Sequence, residues 1–185
     1  MLLLAAPLAR AQLSIEITGA GAQRIPVAVV AFPGEAALGA SISAIVRADL
    51  ERSGLFRGLE VPPLSPHPTE TAKVNHAEWR SRLADALVLG SVAARPDGRF
   101  EVRFKLFDTV KQQDLSGVAY TLSKDQARAT AHRIADFVYE KLIGEKGVFS
   151  TRIAYVVKRG NRYELQIADA AGADVREPAW GPFIE

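Results

Sequence analysis

The chain has 185 residues, no cysteine, and 23 basic against 21 acidic side chains, a formal net charge of +2. That length suits one ordinary domain plus a small appendage, and the lack of thiols excludes disulfides and thiolate metal sites. Hydrophobic residues make up 48% of the chain, enough for a core, and charges of both signs are interspersed, so the basic stripe that nucleic acid demands is missing.

Met1 to Ala9 is an apolar run broken by Pro7, and it leads into Ala9-Arg10-Ala11. Small residues three and one positions before a cut are what a signal peptidase requires, so residues 1–11 read as a signal-peptide remnant and Gln12 as the first residue of an exported chain. No basic residue precedes the run, which lies at the short end for a secretory segment. Leu13, Ile15 and Ile17 then alternate with Ser14, Glu16 and Thr18, the pattern of a half-buried strand, and Gly19-Ala20-Gly21-Ala22 forms a joint. Pro26 to Phe32 is nearly all apolar and predicts a strand covered on both faces, ended by Pro33-Gly34. Leu38, Ile42, Ile45, Val46 and Leu50 fall at helical spacing, with Asp49 a misfit inside the stripe, and Ser53-Gly54 stops that helix. A loop rich in proline follows (Pro62, Pro63, Pro66, Pro68), then a short helix starting at Asn75, with Trp79 and Leu83 on its buried side. Ala86 to Ala94 is an apolar strand, Pro96-Asp97-Gly98 a turn, and Phe100, Val102, Phe104 and Leu106 line one face of the next strand. Gly117 to Leu122 pairs beside it. Ser123 to Gln126 is a capping box ahead of a helix whose stripe is Ala127, Ala131, Ile134, Val138 and Leu142, ending at Gly144. Thr151 to Lys158 and Tyr163 to Ala168 form a hairpin around Gly160-Asn161, and two strands alone are marginal in water.

The fold class that follows is α/β: a small mixed sheet of about five strands covered by two main helices, followed by a β-hairpin. Strands and helices do not alternate cleanly, which argues against a doubly wound parallel sheet. No catalytic motif emerges. Gly19-Ala20-Gly21 starts like a dinucleotide loop, but Arg24 replaces the third glycine and a strand follows instead of a helix. His132 and Asp136 lie one helical turn apart and could share a metal, yet Arg133 beside them opposes a cation, so a solvated charged face is the expectation. His67 sits between prolines and His76 in a helix's first turn. Pro63-Leu64-Ser65-Pro66 matches PxxP, a pattern common by chance. The segment Gln12 to Thr18 stands out: a strand-former on a glycine tether suits addition to another protein's sheet edge, and equally an edge strand of its own domain.

Five stretches resemble the TolB family, periplasmic proteins of the Tol-Pal envelope system of Gram-negative bacteria. They are Ala9 to Ile17, Ile25 to Phe32, Ala44 to Phe56 with Asp49-Leu50-Glu51-Arg52-Ser53-Gly54-Leu55-Phe56 at its heart, Trp79 with Ala84 to Gly90, and Lys141 to Val156. The family continues Pro178-Ala179-Trp180 with Ser-Pro-Asp-Gly, where this chain has Gly181-Pro182-Phe183-Ile184-Glu185. The resemblance implies an N-terminal α/β domain over residues 12–148 and a hairpin over 149–185 that looks like the first blade of a truncated β-propeller. It implies a non-enzymatic periplasmic protein without cofactor, metal or small-molecule substrate. In the family the mature N-terminus binds the C-terminal domain of TolA, which assigns that role to Gln12, Leu13, Ser14, Ile15, Glu16, Ile17 and Thr18. The propeller binds the lipoprotein Pal, and so attaches the protein peripherally to the outer membrane, in support of outer-membrane integrity and cell division. Two other classes stay open on the residues alone: a periplasmic hydrolase using His132 or His76, and a small nucleic-acid-binding α/β domain.

Overall fold

The computed structural model describes residues 24–62 and 64–176. Ten elements follow in order: β1 (Ile25–Val29), α1 (Ile42–Arg52), β2 (Phe56–Leu59), α2 (His76–Ser81), β3 (Ala86–Ala94), β4 (Phe100–Asp108), β5 (Gln113–Leu122), α3 (Ala127–Ile143), β6 (Arg152–Arg159) and β7 (Arg162–Asp169). The first five strands make one mixed sheet in the order β2-β1-β3-β4-β5, and β6 pairs with β7 in a second sheet of two strands. Strand β1 runs parallel to both its neighbours, with Val27 opposite Ala86, while β3, β4 and β5 form an antiparallel meander.

The continuous apolar run of β1 has the reason the sequence suggested. Val27 and Val29 face one hydrophobic layer, Ala28 and Val30 the other, and all four are buried. Strand β2 went unanticipated. It has four residues, only Phe56 of them fully buried, and it includes Gly58, so no alternating pattern marks it. Gly58 sits under α1: a Cβ there would lie 2.4 Å from Glu51 Oε1. The strand-like segment Leu13 to Thr18 lies outside the described residues.

Helices α1 and α3 cover one face of the sheet. Ile42, Val46 and Leu50 of α1 meet Ala131, Ile134 and Val138 of α3 above Val27, Val88, Phe104 and Leu106. Each of these Val, Leu, Ile and Phe side chains contributes about 1.5–3 kcal/mol by leaving water. Leu38 joins this core from a separate 3-10 turn, Glu35–Leu38, which Gly39 ends at φ +70° before Ser41 caps α1. The start of α3 is preceded by a 3-10 turn over Lys124–Gln126, where the Ser123 N–H donates to Gln126 Oε1 at 3.0 Å.

The opposite face carries α2, and Trp79 packs there with Ala28, Val30, Leu87, Leu89 and Phe107. Asn75 caps α2 by accepting from the Glu78 N–H at 3.3 Å. Leu83 does not join Trp79 as the spacing predicted. The helix ends at Ser81, Leu83 takes φ +62° and is 67% exposed, and the chain turns so that the Ala84 N–H reaches the Trp79 carbonyl at 3.0 Å. Ala84, not Leu83, fills the layer.

Candidate functional site

Between α3 and β6 the chain is clamped by one carboxylate. Asp136 Oδ1 accepts the Phe149 N–H at 2.7 Å and Oδ2 accepts the Ser150 N–H at 3.0 Å. Gly147 passes so close that a Cβ would fall 2.4 Å from Asp136 Oδ1 and 2.6 Å from its Cα. Phe149 enters the core and meets the Tyr139 ring edge-on, centroids 5.7 Å apart. This anchoring aims the end of β7 at the flank of α3.

There a chain of charged groups crosses three elements. Asp49 of α1, His132 of α3 and Asp169 of β7 are 1%, 2% and 7% exposed. His132 Nδ1 lies 2.5 Å from Asp49 Oδ2, and Nε2 lies 3.3 Å from Asp169 Oδ2. Arg128 Nε donates to the same Asp169 oxygen at 2.5 Å, and Arg52 Nη1 donates to Asp49 Oδ1 at 2.8 Å. Asp169 Oδ1 accepts the N–H groups of Ala171 at 3.0 Å and Ala173 at 2.9 Å. Every oxygen of both carboxylates is therefore engaged, as burial of charge demands.

The protonation states follow from these partners. The hydrogen bond to Asp49 raises His132 above its ordinary value, burial opposes it, and Asp169 adds to the rise. Burial by itself would raise Asp169, but the Arg128 guanidinium, the Ala173 N–H and His132 together hold it down at about 2. An imidazolium between two carboxylates is the state this geometry favours.

His132 is thus not part of a solvated face, and the sequence-based expectation for it is overturned. It follows Ala131 directly and stands at the margin of the apolar stripe, where α3 meets α1. Its counter-charge is 83 positions away along the chain, beyond the reach of local pattern. Asp49, the misfit in the α1 stripe, was the visible half of the pair. His132 and Asp136 share no ligand either, since Asp136 serves the linker. Among the described residues no cluster of three or more His, Cys, Asp or Glu is placed to hold a metal.

Beside the triad opens a cleft of about 650 Å³ between α3 and the hairpin, lined by Arg128, Arg133, Arg152 and Arg176 with Asp125 and Asp174 among them. Asp174 binds Arg152 at 2.9 Å and Arg176 at 3.0 Å, so much of the positive charge is already matched. His76 opens α2 with its ring edge-on to Phe107, and His67 is exposed in the proline-rich loop. Neither approaches His132's group. The expected partner segment, Gln12, Leu13, Ser14, Ile15, Glu16, Ile17 and Thr18, lies outside the described residues, as do Gly19 to Ala22 and Trp180.

Comparison with known proteins places this architecture. Residues 13–115 match the family model described as the TolB amino-terminal domain. The Tol-Pal system protein TolB of Dechloromonas aromatica (strain RCB) is 54% identical over 187 residues, covering 96% of this chain and 43% of the relative. The Tol-Pal system protein TolB of Aromatoleum aromaticum is 54% identical over 197 residues, 98% of this chain and 46% of the relative. The crystal structure of TolB from Acinetobacter baumannii superposes with a TM-score of 0.72 at 31% identity, over 84% of this chain and 38% of that one. The chain spans less than half the length of these relatives. On the family match and the shared fold together, the chain belongs to the TolB family.

Proposed function

We propose that the chain works as a non-enzymatic linker in the Tol-Pal envelope system, in the periplasm, joining TolA at one end to the outer-membrane lipoprotein Pal at the other. The observation that supports this reading best is the 54% identity to a Tol-Pal system protein across 96% of the chain. Residues 12–148 form the α/β domain of this scheme, and residues 149–185 stand where the Pal-binding β-propeller begins. Gln12 to Thr18 is the TolA-binding strand. Its Leu13, Ile15 and Ile17 fill apolar sites on one side, its backbone adds hydrogen bonds to the partner's sheet edge, and Gly19 to Ala22 lets it leave its own domain. Through its two partners the protein supports outer-membrane integrity and constriction during division.

The test is a calorimetric titration of the TolA C-terminal domain with two versions of the chain, one starting at Gln12 and one at Gly19. The longer version binds and the shorter loses at least tenfold in affinity, roughly 1.4 kcal/mol. Equal affinity for both sinks the assignment of residues 12–18.

A further inference from the structure

The buried triad has a chemical property that goes beyond holding the fold together. We propose that Asp49, His132 and Asp169 form a proton-controlled latch that keeps the β6–β7 hairpin docked against α3 and loosens it when the imidazole gives up its second proton.

The geometry leaves one protonation state that satisfies every atom. Both ring nitrogens of His132 face carboxylate oxygens, Nδ1 at 2.5 Å and Nε2 at 3.3 Å. A carboxylate only accepts, so both nitrogens must donate, which requires the imidazolium. A neutral ring keeps one proton. It stays on Nδ1, because a lone pair at 2.5 Å from Asp49 is far less tolerable than one at 3.3 Å from Asp169. The unprotonated Nε2 then confronts the Asp169 carboxylate, lone pair against lone pair, at the wall of the cleft that both residues line. The contact that fails is the one from His132 to the hairpin, while its contact with Asp49 between α1 and α3 survives.

The surrounding charges leave the imidazole as the responsive group. From α1 come Asp49 and its partner Arg52; from α3, Arg128 with Arg133 further along the cleft; from the turn before it, Asp125; from β6, β7 and the segment after them, Arg152, Asp169, Asp174 and Arg176. Arg52 and Arg128 stay paired with Asp49 and Asp169, and Asp174 with Arg152 and Arg176. Histidine is the one side-chain type among them that ordinarily changes charge between about pH 5 and about pH 8. The Asp136 clamp lies in the linker and accepts backbone N–H groups, with no contact to the imidazole, so it keeps the base of the hairpin in place when the ring changes charge. Arg128 Nε, 2.5 Å from the same Asp169 oxygen and about one-third exposed, ties α3 to the hairpin in either state of the ring, so losing the His132 contact loosens the hairpin without releasing it.

The chain contains no cysteine, which allows site-specific spin labels at Glu140→Cys on α3 and Asn161→Cys in the hairpin turn, both exposed. Their distance distribution is recorded from about pH 5 to about pH 10 while the His132 ring is followed by NMR. The expected result is a narrow distribution at low pH that broadens as pH rises, with its midpoint on the titration of the ring. A distribution unchanged across the range overturns the proposal, whatever the ring does. Asp169→Asn supplies the second arm. Its Oδ1 keeps the Ala171 and Ala173 N–H groups; its Nδ2 loses the Arg128 bond at every pH, which loosens the hairpin throughout, but it can donate to a neutral Nε2 and repels a protonated one. The pH dependence should therefore reverse, tighter at high pH. Asp169→Asn with the wild-type direction also overturns the latch, because a purely structural carboxylate gives no reversal. Should that variant not fold, the wild-type profile decides alone.

Discussion

Replacing Asp49 by Ala removes the acceptor that His132 Nδ1 reaches at 2.5 Å inside a site where both residues are about 2% exposed or less. A hydrogen bond to a charged group contributes about 1.5–3 kcal/mol, and a buried pair broken on one side costs about 3–5 kcal/mol. The ring can relieve part of that cost by becoming neutral. The lost bond from Arg52, whose side chain is 46% exposed, adds little, on the order of 0–1 kcal/mol. The expected destabilisation is about 2–4 kcal/mol near pH 6, a fall in Tm of roughly 5–12 °C for a chain of this size. Urea unfolding followed by tryptophan fluorescence measures it, because Trp79 is buried in the layer opposite the helices. The sign of the pH dependence is fixed by the direction of the His132 shift. Its value is raised in the folded state, so its contribution is complete below the unfolded value of about 6.5 and is lost as pH rises through the folded one. The gap between wild type and Asp49→Ala should accordingly narrow as pH rises above about 6.5 and through the raised folded value. A gap below about 0.5 kcal/mol at pH 6, or one that widens with pH, refutes the assignment of His132 as a buried imidazolium.

Asp136→Ala strips two backbone N–H groups of their acceptor and should lower the opening free energy of the linker by about 1.5–3 kcal/mol. Tryptic cleavage after the exposed Lys146, timed on a gel, should then run at least about tenfold faster, and unchanged cleavage would show that the clamp does not hold the linker. Leu83→Gly should stabilise the chain by about 0.5–1 kcal/mol, since the residue sits 67% exposed at φ +62°. A lowered urea midpoint would mean that the Leu83 side chain makes contacts outweighing its backbone strain.

Where a segment's structure depends on its own residues, the chain was legible. The alternation of Phe100, Val102, Phe104 and Leu106 marks β4, and Val102, Phe104 and Leu106 are buried in the core, while the stripe from Ala127 to Val138 fills the core above it. Gly144 stops α3 at φ +87°, and Gly160 turns the hairpin at φ +61°. Strand β2 was not legible because its place comes from its neighbour: backbone pairing to β1 makes it a strand, and four residues around Gly58 hold too few side chains to show a period. Leu83 misled for a related reason. Helical spacing continues on paper past Ser81, but the turn to Ala84 ends the helix first.

The amino-acid order by itself determined the types of the elements other than β2, the two-faced burial of β1, the family, and the odd position of Asp49 inside an apolar stripe. Only the tertiary structure decided what that oddity means. Asp49, His132 and Asp169 come from helix, helix and strand, and they meet because α1 and α3 pack side by side and the Asp136 clamp turns the hairpin toward them. Local periodicity reports how a residue faces along its own element. Charge compensation in a buried site depends on what the other elements bring within about 3 Å, and no local pattern encodes that distance.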